Sequence, residues 1–455
     1  VFVQWAHRAD LAESAITERH ASRVWGIPGT NLLKVAWPPR TRDNIFFHWH
    51  YWWQAHYLDC LVDAASRRAT SRRGAMIAKT IRGMRIRNLF PLVRNDYYDD
   101  KAWMALAHGR VNSCSGVPNS QYYRELVRNV RLGLDPFVGA LPWRREGYFF
   151  NVPTNGPAAI LAARQGEINT TRNLVDWIYE HLIDDRGLVM DGMRCTMNDY
   201  ELVRDIHPYC QGVVIGALVE QIVQYRQLLG LDDTTPLSSI VNDEWIPPGS
   251  GENDQVSGKA PVEAGEKDRR ESASAATPRT SDSPVSTPPT SSPAHELSAE
   301  SVARTIDALA TATFRVETLI HAVAAHLADD KSVINWRTGG GDGGLFKGIL
   351  VRYLADAAVR LPDDTPNMRK VKSIATRLVL RSAESVWNNR LEIDGLPLFA
   401  SYWPEGAQLP TEHSFIGTRV NGATNGSEIP ERDLSTQLSG WMLMEAAARV
   451  TRDDV

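Results

Sequence analysis

The residues best equipped for chemistry lie between Asn95 and Ala107, in the run NDYYDDKAWMALA, where Asp99 and Asp100 stand side by side among Tyr97, Tyr98 and Trp103. Paired carboxylates are what glycoside hydrolysis needs: one gives a proton to the leaving oxygen, and the other attacks the anomeric carbon or activates water. Neighbouring Cα atoms are ~3.8 Å apart, so two diverging Asp side chains reach the roughly 5–5.5 Å of a retaining pair more easily than the roughly 6.5–9.5 Å of an inverting one. Tyr98 and Trp103 add flat apolar surface on which a sugar ring can stack. The pair also has a plainer use, because Asp at a helix start caps free N–H groups and complements the macrodipole.

Other side chains deserve the same double reading. Asn155 and Gln211 carry amides suited to sugar hydroxyls and equally suited to helix entry. Asp191, in LVMDGM, follows an expected helix end, where Asp-Gly ordinarily forms a turn. Asp342 lies in GGGDGG, which formally contains GxGxxG; no strand precedes it and no Lys-Ser/Thr follows, so a loop beside a cleft is expected and not a nucleotide site. His48, His50 and His56 do not share a helix face at chelating spacing, so no metal site is expected. The basic run from Arg67 to Arg87 has the spacing of a solvated helix face.

Something must position these groups. Apolar spacing and Gly, Pro or Asn stops predict helices at about 7–25, 46–68, 71–88, 98–110, 118–132, 155–166, 170–184, 208–230, 297–328, 344–360, 366–388 and 433–449, with no sheet. Between Ile246 and Glu296 the chain is rich in Pro, Ser, Thr and charge and contains no aromatic residue, the composition of a disordered insertion. Helical patterns on both flanks make residues 1–245 and 297–455 one all-α unit, compatible with six helical hairpins closed into an (α/α)6 barrel. Helix number alone fits an irregular bundle or solenoid as well.

Composition narrows the partners. The 455 residues are 43% hydrophobic and 23% charged, as in an ordinary globular protein. A balance of 50 basic against 54 acidic residues provides no field that would gather nucleic acid. Tryptophan, at 14 residues, outnumbers both tyrosine and phenylalanine, which suits core packing and sugar stacking alike. Four cysteines without CxxC spacing argue against structural zinc and a disulfide framework. No run approaches a membrane span, and VFVQWAHRADLAES lacks the apolar centre of a secretory signal. The expectation is a monomer, cytoplasmic as the chain is written and secreted if a leader has been removed.

The stretch YYDDKAWMALA resembles the double-aspartate motif of glycoside hydrolase family 76, the endo-α-1,6-mannanases and their fungal cell-wall relatives. Further likeness follows in order along the chain: YWWQAHYLDCLVD from Tyr51, Trp143, NVPTNGPAAILAAR from Asn151, GLVMDG from Gly187, YCQGVVIGAL from Tyr209, LFKGILVRYL from Leu345 and DLSTQLSGWMLMEA from Asp433. The resemblance implies the (α/α)6 barrel, retaining hydrolysis of α-1,6-mannan without metal or organic cofactor, Asp99 as nucleophile and Asp100 as general acid/base. It also implies a sugar-hydroxyl ligand at Asp191 and a cleft-lining role for Trp143. On this expectation the Asp99 charge disfavours ionisation of Asp100 and keeps it protonated. Two departures stand out: Cys210 occupies a position where the family pattern has Asn, and Met104 one where it often has a second Trp. Transglycosylation through the same intermediate and mannan binding without turnover are the alternative functions.

Overall fold

The computed structural model describes residues 5–114, 120–196, 199–241, 298–414, 419–420 and 423–452. The insertion read at 246–296 lies outside the described residues.

Twelve helices carry the architecture: α1 (Trp5–His20), α2 (Tyr51–Arg67), α3 (Ser71–Arg87), α4 (Tyr98–Asn112), α5 (Tyr123–Arg131), α6 (Val152–Arg164), α7 (Ile168–His181), α8 (Pro208–Leu228), α9 (Ala299–His326), α10 (Phe346–Arg360), α11 (Pro366–Asn388) and α12 (Leu434–Val450). The even-numbered helices pack in sequence, α2 on α4, α4 on α6, and so on to α12, which packs back on α2 and closes a ring. The odd-numbered helices lie outside it, each against one or both of its even-numbered neighbours. This is the expected all-α (α/α)6 barrel, and ring closure is the property that spacing along the chain could not supply.

Burial explains the two layers. Almost every residue of α8 from Cys210 to Ile222, and of α12 from Leu434 to Ala448, is buried; a helix that is apolar all round belongs inside. In α9 only a stripe through Leu309, Ala312, Val316, Leu319, Ile320 and Val323 is buried, the mark of a helix with one covered face. Inner helices approach closely where they carry glycine. A Cβ on Gly212 of α8 would sit 2.8 Å from the Leu350 Cα, and one on Gly348 of α10 would sit 2.7 Å from the Ser439 Cα.

Helix starts are chemically set. The Asn151 side chain accepts from Thr154 N at 3.2 Å to begin α6, and Thr365 accepts from Met368 N at 3.1 Å ahead of Pro366 in α11, two side-chain caps of the expected kind. One expectation fails. Three strands, β1 (Phe149–Asn151), β2 (Met190–Cys195) and β3 (Tyr200–Ile206), form an antiparallel sheet in the order β1-β2-β3. The Asp191-Gly192 dipeptide read as a turn lies within β2, where Gly192 lets β1 come close: a Cβ there would meet the Phe150 carbonyl oxygen at 2.5 Å.

Candidate active site

All six inner helices run the same way, so their first turns gather at one end of the barrel. Trp52, Asp99, Asp100, Tyr209 and Phe346 occupy such first turns, in α2, α4, α8 and α10. The last turns, with Arg67, Arg110, Arg226 and Arg360, gather at the other.

The carboxylate pair is held by two connecting segments. Tyr98 N donates to the Trp143 carbonyl at 2.8 Å, and Tyr97 bridges to Arg144. This fastens the start of α4 to the strand-like stretch before β1 and brings the Trp143 indole to Asp99, with Nε1 donating to Oδ2 at 2.9 Å. Asn95 serves the other carboxylate: its Nδ2 donates to Asp100 Oδ2 at 2.7 Å, while its Oδ1 accepts from Tyr97 N at 2.8 Å. The second oxygen of Asp99, Oδ1, is buried without a protein hydrogen bond.

Burial, reinforced by the Asp100 charge, pushes the Asp99 carboxyl well above the usual carboxylate range; the Trp143 N–H pulls against it and the Asp342 charge adds to it. Two adjacent carboxylates resist ionising together, so the Asp100 charge acts in the same direction as burial on Asp99.

A second carboxyl responds to the same surroundings. Asp191, in β2, is pushed up to about 7 by burial and by Asp205, with Arg194 opposing. Burial lifts the Tyr209 hydroxyl as well, and it feels the charges of Cys210, Asp191, Asp99 and Asp342. Tyr209 thus marks the point around which the carboxyl groups converge.

Aromatic rings line the rest. Tyr209 stacks on Phe346 with centroids 3.9 Å apart, His207 lies 5.2 Å from Phe346, and Trp52 stands 6.4 Å from Tyr209 and 6.5 Å from Trp103. Asp342 organises this wall. Its Oδ1 accepts from both Trp52 Nε1 (2.9 Å) and Trp53 Nε1 (2.8 Å), and its Oδ2 from Thr424 N (2.6 Å). The Gly-rich loop therefore fixes the tryptophans of α2.

Several residues singled out in the sequence have other positions. Asn155 is fully buried, its Oδ1 accepting from Leu141 N and its Nδ2 donating to the carbonyls of Leu141 and Asn151. Gln211, equally buried, bonds Val189 N, Val189 O and His207 O. Both amides bond to backbone and fasten connecting segments to α6 and α8. Trp103 is 4% exposed and forms the floor beside His56, 4.7 Å away, instead of an open platform. Tyr98 is partly exposed, with the Lys101 ammonium 4.0 Å from its ring centroid. Met104 and Cys210 are fully buried, and the Cys210 thiol is raised by burial and by nearby Asp191. Trp52, Tyr209 and Phe346 were not picked out. Their signal is their place in the first turn of inner helices, which becomes readable once the helices are known to run in parallel.

A shallow hollow of about 460 Å³ lined by Arg186, Phe314, Glu317 and His321 lies against the outer helix α9, away from the carboxylates. Among the described residues no group of His, Cys, Asp and Glu is arranged to hold a metal ion, and no helix is long and apolar enough to cross a membrane.

Neither a family model nor a curated protein matches the sequence. Solved structures match the fold over nearly its whole length. The GH76A α-1,6-mannanase of Salegentibacter sp. HEL1_6 superposes with a TM-score of 0.64 at 22% identity, covering 98% of this chain and 100% of that one. An inactive variant of the same mannanase, with Asp→Asn changes at two adjacent positions and α-1,6-mannotriose bound, matches with the same TM-score at 20% identity, covering 98% of this chain and 100% of that one. Dfg5 from Chaetomium thermophilum, in complex with glucosamine, gives 0.60 at 11% identity over 99% of this chain and 92% of that one. The resemblance read in the sequence is thus matched in the fold: this chain is an (α/α)6 barrel of the kind found in glycoside hydrolase family 76.

Proposed function

We propose that the protein is a retaining glycoside hydrolase that cleaves α-1,6-mannosidic bonds in mannan chains. The observation that carries this reading is the placing of Asp99 and Asp100 together in the first turn of an inner helix, at the aromatic-lined end of the barrel. The fold is that of an α-1,6-mannanase inactivated by changing two adjacent aspartates.

In the first step Asp99 attacks the anomeric carbon while Asp100 delivers a proton to the departing glycosidic oxygen, leaving a mannosyl ester on Asp99. Asp100, now ionised, takes a proton from water, whose oxygen attacks the same carbon from the opposite side and releases Asp99. Trp143 supports the nucleophile, since its N–H stabilises negative charge on Asp99. Asp191, uncharged below about pH 7, can donate as well as accept a hydrogen bond at a sugar hydroxyl. Trp52, Tyr209 and Phe346 supply stacking surface.

The test is proton NMR of linear α-1,6-mannan with the wild type, Asp99→Asn and Asp100→Asn. New reducing ends appearing first as the α-anomer, and lost in both variants, support the reading; a first-formed β-anomer, or no turnover on linear or branched mannan, sinks it. The order of roles is tested with azide and an aryl α-mannoside bearing a good leaving group. Asp100→Ala should yield the α-mannosyl azide, and Asp99→Ala should give none by that route.

A further inference from the structure

The basic run from Arg67 to Arg87 divides in two. At the end of the barrel away from the cleft its charges are matched, Arg67, Arg68 and Arg73 pairing with Asp10, Glu13 and Glu445. Towards the cleft they are not: Arg82, Arg85 and Arg87, with Arg23, Arg42 and Arg94 in adjoining segments, form no ion pair among the described residues. Exposed apolar side chains surround the same tip of α3. Trp25, Ile45, Phe47, Leu89 and Phe90 are 49–62% exposed. Arg87 donates through Nε to the Phe46 carbonyl (2.6 Å) and through Nη2 to the Phe47 carbonyl (2.9 Å), and its guanidinium lies 6.0 Å from the Trp25 ring, whose Nε1 donates to the Ile45 carbonyl at 2.9 Å. Leu89 and Phe90 follow α3 directly, and Phe90 N donates back to the Arg85 carbonyl at 2.7 Å. The other two rings also have a guanidinium beside them, Arg42 at 5.6 Å from Phe47 and Arg85 at 5.9 Å from Phe90. Trp25, Leu89 and Phe90 hold φ of 49°, 54° and 84°, a left-handed backbone that bulky residues avoid unless their surroundings impose it.

We propose that this tip is a docking site for an anionic lipid bilayer surface. The proposal goes beyond the mannan reading and does not depend on it. Charge argues for this occupant. From Ser71 to Asn95 there are seven Lys and Arg and no Asp or Glu, and the only acid between residues 21 and 50, Asp43, is buried and accepts from Arg40 N at 2.8 Å. Such a surface attracts anionic headgroups, and rings flanked by arginines can enter the acyl boundary while the guanidinium groups reach back to phosphates. Ile45 and Leu89 are aliphatic and offer no flat face to a sugar ring, which favours lipid over glycan. A second copy would bring two positive faces together, an isologous pairing that charge opposes. The tip also adjoins the cleft. Tyr51, in the first turn of α2, donates from its hydroxyl to the Leu92 carbonyl at 2.8 Å, and Asn95, five residues beyond Phe90, bonds Asp100. Docking there holds the mouth of the barrel beside the bilayer.

The experiment is co-sedimentation with vesicles of phosphatidylcholine alone and of phosphatidylcholine mixed with phosphatidylglycerol. It compares wild type, Phe47→Ser/Leu89→Ser/Phe90→Ser and Arg42→Gln/Arg94→Gln, with melting curves and sedimentation velocity of each protein alongside. Wild type should bind the mixed vesicles, ignore the neutral ones and be released by high salt. The serine variant should lose at least about tenfold in partitioning, and the glutamine pair a smaller part of it, with both melting like wild type. Should the serine variant melt early, Leu89→Ser alone and the glutamine pair decide, with losses expected in the same direction. A wild type that stays in the supernatant with both vesicles would overturn the proposal, as would folded variants that bind like wild type. Without vesicle binding, self-association abolished by the serine changes would assign the tip to a second copy, and a raised KM for polymeric mannan would assign it to substrate; either result also overturns the proposal.

Discussion

Buried charge is handled in opposite ways at the two ends of this barrel. Where the inner helices end, carboxylates are matched with arginines: Asp59 and Asp63 with Arg110 and Arg352, Glu220 with Arg164 and Arg360, and Asp356 with Arg360 and Arg449. Burial pushes Asp59 up, but Arg110 and Arg352 outweigh it and hold the carboxyl at about 2. Where the helices begin, Asp99 and Asp191 are raised, and neither forms an ion pair among the described residues. The partial positive charge of helix N-termini, the Trp143 N–H at Asp99 and the Arg194 charge at Asp191 oppose burial there without outweighing it. One end has its charges neutralised for cohesion; the other keeps carboxyls in a state in which a proton moves at little cost.

The contrast breaks most visibly at Asp99 and Asp100. Asp99→Asn and Asp100→Asn should each lower kcat on mannan by about 10³-fold, roughly 4 kcal/mol. Asp99→Asn should also leave the fold as stable as wild type at pH 8, or more so, by urea denaturation, since it removes a carboxyl that resists ionisation. At the other end Asp59→Ala should do the reverse, costing about 3 kcal/mol of stability because Arg110 and Arg352 lose one of the two carboxylates they share in a buried setting. Equal stability losses at both ends would refute the contrast.

Asp191 sharpens it through pH. Its folded pKa is raised above the unfolded value, so the folded protein holds the extra proton. Its contribution is therefore most favourable below about pH 4 and is lost as pH climbs towards about 7. Asp191→Asn should accordingly stabilise the protein at pH 8 by on the order of 2 kcal/mol, allowing for partial exposure, and by little at pH 4. Melting curves at the two pH values check this. The smallest effect belongs to a pair outside both regions: Arg304 and Glu300 are 69% and 79% exposed on α9, and Glu300→Gln should shift stability by less than about 0.5 kcal/mol in the same denaturation assay.

The helices were readable because each has a physical signature in its own stretch of chain. Pro366 after Thr365 sets the start of α11, and the apolar run of α8 continues to Leu228, close to where spacing placed its end. Ring closure was not readable, because α2 meets α12 through contacts between distant segments and periodicity describes one helix at a time. The sheet escaped for another reason. β1 is only three residues long, and β3, YELVRDI, is half exposed along its length, so neither alternates cleanly. In the site, Asp99 and Asp100 announced themselves by adjacency. For Asn155 and Gln211 the sequence left two uses open, because an amide that binds a sugar and one that binds backbone are the same group; their burial and backbone partners are visible only in the fold. Trp52 and Phe346 could be placed at the mouth only once the direction of the helices was known.

The bond from Trp52 to Asp342 spans 290 residues of sequence. A tryptophan of the first inner helix is thus oriented by the loop that precedes the fifth, and Thr424, farther on still, holds the same carboxylate. During synthesis Asp99 and Asp100 emerge early, yet the wall facing them is complete only after that late loop has docked. Turnover in a refolding experiment should therefore lag behind recovery of helical signal, reporting the final joining of the chain's two halves.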